Sequence, residues 1–194
     1  MIDRLRSQLA QQLRTKPSCL DTFTHAEFHV HDPHPVNEGP GPCCILTTGL
    51  KAKSDLHVLN TTQRTLYFLA IDHCVYGDAN PSKCDCALVS GDTVYFIEFK
   101  TSEHHQDAAL PKANANSGDC INQLAASIRD FYDRNIIQPG QTVYAYASVG
   151  YPRHRPQHGA HYTDQLSSLQ LKIQEGTARS VRLRYCSESK LTIK

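Results

Sequence analysis

The stretch Lys83–Lys100, KCDCALVSGDTVYFIEFK, decides how this chain is read. Two β-rich runs flank Gly91-Asp92, and glycine first in a two-residue loop is a hairpin signal. That loop fixes a register. Ser90 faces Thr93, so Asp85 falls opposite Glu98 and Lys83 opposite Lys100. Side chains two apart on a strand share a face, which puts all four charged groups on one side, beside Ala87, Val89, Val94 and Phe96. Directly opposed residues have Cβ atoms roughly 4.5–5.5 Å apart, and like charges there destabilise the pairing. A divalent cation with oxygen ligands resolves the conflict, since Mg²⁺ binds through one or two carboxylates plus phosphate and water. A lysine on the same face can orient or deprotonate an attacking water and stabilise charge developing on phosphate. The competing reading is a structural cluster in which Lys83 and Lys100 pair with the two acids.

At 194 residues, 40% hydrophobic and 20% charged, the chain reads as a single soluble globular domain with a real core. No apolar run approaches the ~18 residues of a membrane span, and MIDRLRSQLAQQLR has no apolar segment of the kind a secretory signal needs. The expectation is a cytoplasmic protein whose eight cysteines do not form a disulfide framework. A zinc site from His73, Cys74, Cys84 and Cys86 is the alternative use of these residues, although a paired CxxC spacing is missing and free cysteine packs well as a small hydrophobe. Net charge is +1 but unevenly spread, with eight Lys/Arg against three Asp/Glu in residues 150–194. A basic portion beside an acidic one suits a phosphate backbone held next to metal ligands; an ordinary solvated face is the plain alternative.

Outward from the hairpin, residues 1–14 have the spacing of an amphipathic helix, and residues 22–30 read as an extended strand followed by a Pro- and His-rich loop. His25, His29, His31 and His34 alternate along that segment and do not converge at a known ligand spacing. Short strands are expected over 43–50 and 55–59. TLYFLAID, residues 65–72, reads as a strand buried on both faces and lying beside the hairpin. Residues 101–117, polar and long, read as a loop able to close over substrate. A helix follows over 117–135, with Ile121, Leu124, Ala125, Ile128, Phe131 and Tyr132 in its stripe; Gln123 and Ser127 lie four apart on its flank. Residues 141–149 form another strand. A loop carrying Arg153 and Arg155 comes next, then a helix over 162–175, and then a strand over 179–186 with Arg182 and Arg184 outward. These arginines and Lys83 are the candidate nucleic-acid contacts.

The spacing Asp85-x(12)-Glu98-Phe99-Lys100 on a hairpin resembles the signature of the PD-(D/E)xK nuclease superfamily. The resemblance covers roughly residues 65–149, the expected core, with N- and C-terminal elaborations. Cys84 stands where the signature has proline. The resemblance implies an α+β fold of restriction-endonuclease type, a mixed central β-sheet flanked by helices. It implies a metal-dependent nuclease in which Asp85, Glu98 and the Phe99 carbonyl hold Mg²⁺ or Mn²⁺ and Lys100 positions or activates water. A further upstream acid is usual; Asp72 is the first candidate and Glu27 the second, and Gln123 matches a helix glutamine that often approaches the metal. The implied substrate is nucleic acid, DNA ahead of RNA. The implied setting is a prokaryotic anti-phage or mobile-element system with a partner such as an ATPase or sensor subunit. The alternatives are a catalytically inactive protein of the same fold that binds nucleic acid or a partner, and a zinc-stabilised interaction module.

Overall fold

Gly91 takes φ +56°, the left-handed region that favours glycine, and turns the chain between β6 (Cys86–Ser90) and β7 (Thr93–Lys100). The ladder runs Ser90↔Thr93, Val89↔Val94, Leu88↔Tyr95, Ala87↔Phe96 and Cys86↔Ile97, the register expected from the two-residue loop. The structure, a computed structural model, describes residues 1–33, 38–39, 41–46, 54–76, 83–100, 106–149, 160–174, 182–186 and 190–193.

This hairpin is the middle of a six-stranded mixed sheet ordered β1-β5-β6-β7-β8-β9. Strands β1 (Leu20–Phe23), β5 (Leu66–Ala70), β6 and β7 are antiparallel neighbours. Strands β8 (Thr142–Val149) and β9 (Arg182–Cys186) add in parallel after helical crossovers. Central strands β6 and β7 are near-continuous apolar runs because both of their faces are covered.

One face carries helices. Helix α3 (Gln106–Asp133) lays Ile121, Leu124, Ala125, Ile128, Phe131 and Tyr132 on the sheet, all 0–2% exposed. The Phe131 ring meets Phe96 edge-on, with centroids 4.9 Å apart. Helix α4 (Ala160–Gln174) packs beside α3. At the N-terminus, α1 (Ile2–Gln8) and α2 (Ala10–Thr15) replace the single expected helix, the chain breaking at Leu9. The α1 residue Arg4 donates from Nε to the Ile136 carbonyl just beyond α3, at 3.2 Å.

The other face carries a second sheet that the sequence reading lacked. Its order is β10-β4-β2-β3, with β2 (Glu27–His31), β3 (Cys44–Leu46), β4 (Leu56–Leu59) and β10 (Lys190–Thr192). The single strand expected over 22–30 is two strands, β1 and β2, that belong to different sheets. Phe23 bridges the sheets, meeting Phe28 at 5.1 Å and Phe68 at 6.4 Å. Buried side chains from both sheets and the helices form one continuous cluster. The architecture is α+β, and no described helix is long and apolar enough to cross a membrane.

Two further expectations are corrected. Residues 106–117, read as loop, are the first turns of α3; residues 101–105 lie outside the described residues. Cys19 and Cys74 form a disulfide across a sequence separation of 55, so the cysteines are not all unpaired. The bond staples the short 3₁₀ turn Pro17–Cys19 to the irregular turn Ile71–Val75 that follows β5. It also takes Cys74 out of the zinc set proposed with His73, Cys84 and Cys86. Cross-linking a loop of this length removes unfolded-state entropy worth about 2–4 kcal/mol. Denaturant titrations with and without reductant should therefore differ in unfolding free energy by that amount, and coincident curves would exclude the bond.

Candidate active site

The ladder ends at Cys86↔Ile97; Asp85 stands just before β6, and Glu98, two residues after Phe96, shares the helix-covered face with it. Glu98 is 0% exposed and Asp85 8%. Asp85 Oδ2 accepts a 2.6 Å hydrogen bond from the Phe99 N–H, which ties the carboxylate to the facing strand. Burial pushes the Asp85 carboxyl well above its ordinary value of 3.8; the charges of Glu98 and Asp32 push it further, and the Phe99 N–H opposes them. Asp85 and Glu98 thus lie within electrostatic reach of each other.

The segment leading to Asp85 is sewn down on both sides. The Lys83 carbonyl accepts from Gln123 Nε2 at 3.4 Å, and the Cys84 N–H donates to Ser127 Oγ at 2.8 Å. Lys83 Nζ donates to the Ala126 carbonyl at 3.0 Å. Gln123 and Ser127, four apart on α3, therefore both serve the approach to Asp85. On the opposite side, the Asp85 carbonyl accepts the N–H groups of Ile71 and Asp72, at 2.9 and 3.3 Å.

The other expected site residues fall out as follows. Lys83 turns toward α3, where its Nζ also lies 3.9 Å from Asp130 and 5.5 Å from the centre of the Tyr76 ring. Arg134 approaches the same ring at 5.8 Å, and the Tyr76 hydroxyl bonds to Asp130, so this basic residue is built into a structural cluster. Gln123 reaches the Lys83 backbone, two residues before Asp85. Asp72 accepts the His73 N–H on Oδ1 at 2.9 Å and lies 3.5 Å from the His73 ring on Oδ2, so it closes its own turn. Glu27 projects from the small sheet beside His29 and His57. Lys100 ends β7, with its backbone opposite Val149 in β8; its side chain lies outside the described residues, as do Arg153 and Arg155. Register puts the backbones of Arg182 and Arg184 beside Thr142 and Tyr144; Arg184 is exposed on the face opposite Glu98, and the Arg182 side chain lies outside the described residues. The structure brings together Asp85, Glu98 and Phe99, with Gln123 one step away, and does not bring Arg184 or Glu27 to them.

It adds one residue that the spacing did not show. Asp32, just beyond β2, raises the Asp85 pKa and so lies within electrostatic reach of the pair. Its Oδ1 accepts from Cys43 Sγ at 3.4 Å, and its N–H donates to Asp55 Oδ2 at 2.9 Å. His31, 4% exposed, stands next to it with Nδ1 2.9 Å from Asp55 and Nε2 3.1 Å from Glu38. Burial alone lowers the His31 pKa, but the bonds to Glu38 and Asp55 outweigh it and raise the value above 6.5. Asp55 thereby receives both the His31 ring and the Asp32 backbone, holding Asp32 at the end of its strand. Burial pushes the Cys43 and Cys84 thiols well above 9. These buried thiols are neutral packing groups around the acids.

No protein-family model, curated protein or solved structure matches this chain.

Proposed function

We propose that this protein is a metal-dependent nuclease of the restriction-endonuclease-like fold, hydrolysing phosphodiester bonds of nucleic acid, DNA ahead of RNA. The observation that carries the reading is the buried Asp85 beside Glu98: burial first, and then the Glu98 charge, raises the Asp85 carboxyl well above an ordinary aspartate. Topology supports it: an antiparallel β5-β6-β7 meander, then α3, then β8 parallel to β7, is the order that the resemblance implies. The donor set fits a hard divalent cation, because carboxylate oxygens suit Mg²⁺ or Mn²⁺ and a bound dication offsets the repulsion between the acids. When bound, such an ion polarises a phosphoryl oxygen and lowers the pKa of its water.

Within this reading each residue of the chain has a task. The Phe99 N–H fixes one oxygen of Asp85, which leaves the orientation of the other determined. Glu98 supplies the opposing carboxylate, and Asp32 adds a third negative group from the small sheet. Lys100 positions or activates the attacking water, and Gln123 steadies the chain before Asp85. Partner recruitment, by an ATPase or sensor subunit, belongs to the same resemblance.

The test is to incubate the purified chain with labelled single- and double-stranded DNA and RNA, with Mg²⁺ or Mn²⁺ or with chelator. Cleavage of at least one substrate with metal and none in chelator is expected. Binding without cleavage under every metal condition would overturn the nuclease reading in favour of an inactive protein of the same fold.

A further inference from the structure

The outer face of the small sheet carries a different set of donors. Phe28, Val30, Leu56 and Val58 turn inward, at 0–6% exposure, so Glu27, His29 and His57 project from the other side. His29 on β2 and His57 on β4 are direct register partners. Their rings stack with centroids 4.7 Å apart and planes 10° from parallel. Glu27, two residues before His29, brings Oε2 to 3.5 Å from His57 Nε2. One ligand atom from each of the three lies within 4.8 Å of the others.

We infer that Glu27, His29 and His57 form a binding site for a zinc-class divalent cation, separate from the Asp85–Glu98 pair. Bonds of 2.0–2.2 Å in a tetrahedral site set ligand atoms about 3.4 Å apart. The Glu27–His57 spacing of 3.5 Å already has that value, and the other spacings close to it by side-chain rotation on a half-exposed face. Imidazole with one carboxylate selects zinc and its transition-metal neighbours over Mg²⁺. Three protein ligands leave a fourth position for water.

The surroundings set the ligating nitrogen. Ser54 Oγ donates its proton to the Leu56 carbonyl at 3.2 Å and lies 2.9 Å from His29 Nδ1. With its proton so used, Ser54 accepts from His29 Nδ1–H, which leaves the lone pair on Nε2. A hydrogen bond to the second ring nitrogen is how protein metal sites orient their histidines. Ser54 is a positioning residue.

The proposal is tested on the full chain, stripped of metal and titrated with ZnCl₂ by calorimetry and with CoCl₂ by absorbance. In excess Mg²⁺, which occupies the carboxylate pair, one cation per chain is expected to bind and to resist displacement. The cobalt spectrum should show nitrogen and oxygen ligation without a thiolate-to-cobalt charge-transfer band. His57→Gln should lose more than about 100-fold in affinity, and Ser54→Ala about 10- to 100-fold, the range for a lost supporting hydrogen bond. Asp85→Asn should bind zinc as the parent does, so the result stands apart from the nuclease reading. A thiolate band, ready displacement by Mg²⁺ or unchanged affinity in Ser54→Ala would overturn the site. Should His57→Gln not fold, the parent cobalt spectrum and Ser54→Ala decide.

Discussion

Asp85→Asn should abolish cleavage while leaving the metal-free protein as stable as the parent, or more so. The substitution keeps the shape and an oxygen able to accept the Phe99 N–H, and removes one of two opposed buried charges. Relief of the cross-strand repulsion contributes about 0.5–1 kcal/mol. Loss of a group that stabilises transition-state charge lowers turnover by more than about 10²-fold. Added Mg²⁺ or Mn²⁺ should raise the melting temperature of the parent far more than that of the variant, because only binding to the folded state adds stability. The pH dependence has a definite sign. With the folded carboxyl raised above 3.8, the native state holds its proton more tightly than the unfolded chain. The stability of the parent in chelator therefore falls as pH rises from about 3.9 toward the raised value, and the variant lacks that component. Melts of both proteins across this window, first in chelator and then in metal, measure it. A variant clearly less stable in chelator, with no metal effect on the parent, would reject the catalytic pair and favour a structural cluster.

Phe131→Ala should cost about 3–5 kcal/mol, the range for emptying a fully buried aromatic site. The Phe131 ring is 0% exposed and meets Phe96 edge-on at 4.9 Å, so it joins α3 to the face that holds Glu98. Against a total of about 5–15 kcal/mol, that loss leaves little margin. Leu171, 59% exposed on α4, is the control: its truncation to alanine should stay within about 0.5 kcal/mol. Urea titrations of the two variants give the comparison. A loss under about 1 kcal/mol at Phe131 would mean that α3 does not pack on this face as described.

What could be read from sequence followed the strength of each local signal. The hairpin register was legible because a two-residue loop with glycine first permits one pairing, which holds from Ser90↔Thr93 to Cys86↔Ile97. The apolar stripe of α3 was legible over its second half. Its first half was not, since QDAALPKANANS carries Pro111 and no apolar period. Strands were expected where β2, β3 and β4 lie, but nothing local to such short runs says that they leave the main sheet and pair with one another, and the three residues of β10 carry too little alternation to be read as a strand. Asp32 escaped for a related reason. It sits between His31 and Pro33 with no spacing to the hairpin acids, and only the packing of one sheet on another brings it near Asp85. The histidines of β2 were judged within their own segment, whereas His57, the partner of His29, comes from β4. The Cys19–Cys74 bond was hidden by reasoning from compartment instead of from proximity.

Strand β10 gives the chain an order of events in time. It pairs in parallel with β4, Lys190 beside His57 and Leu191 beside Val58, and the Ile193 N–H closes on the Leu59 carbonyl at 2.8 Å. A ribosome delivers β4 long before β10, so one edge of β4 stays open while the hairpin, α3 and β8 are being made. Open edges invite wrong pairing, and contacts between distant positions are slow to form. The meander of β5, β6 and β7 needs only near neighbours and can form early. The edge of β4 on the small sheet therefore stays unpaired until β10 has been made.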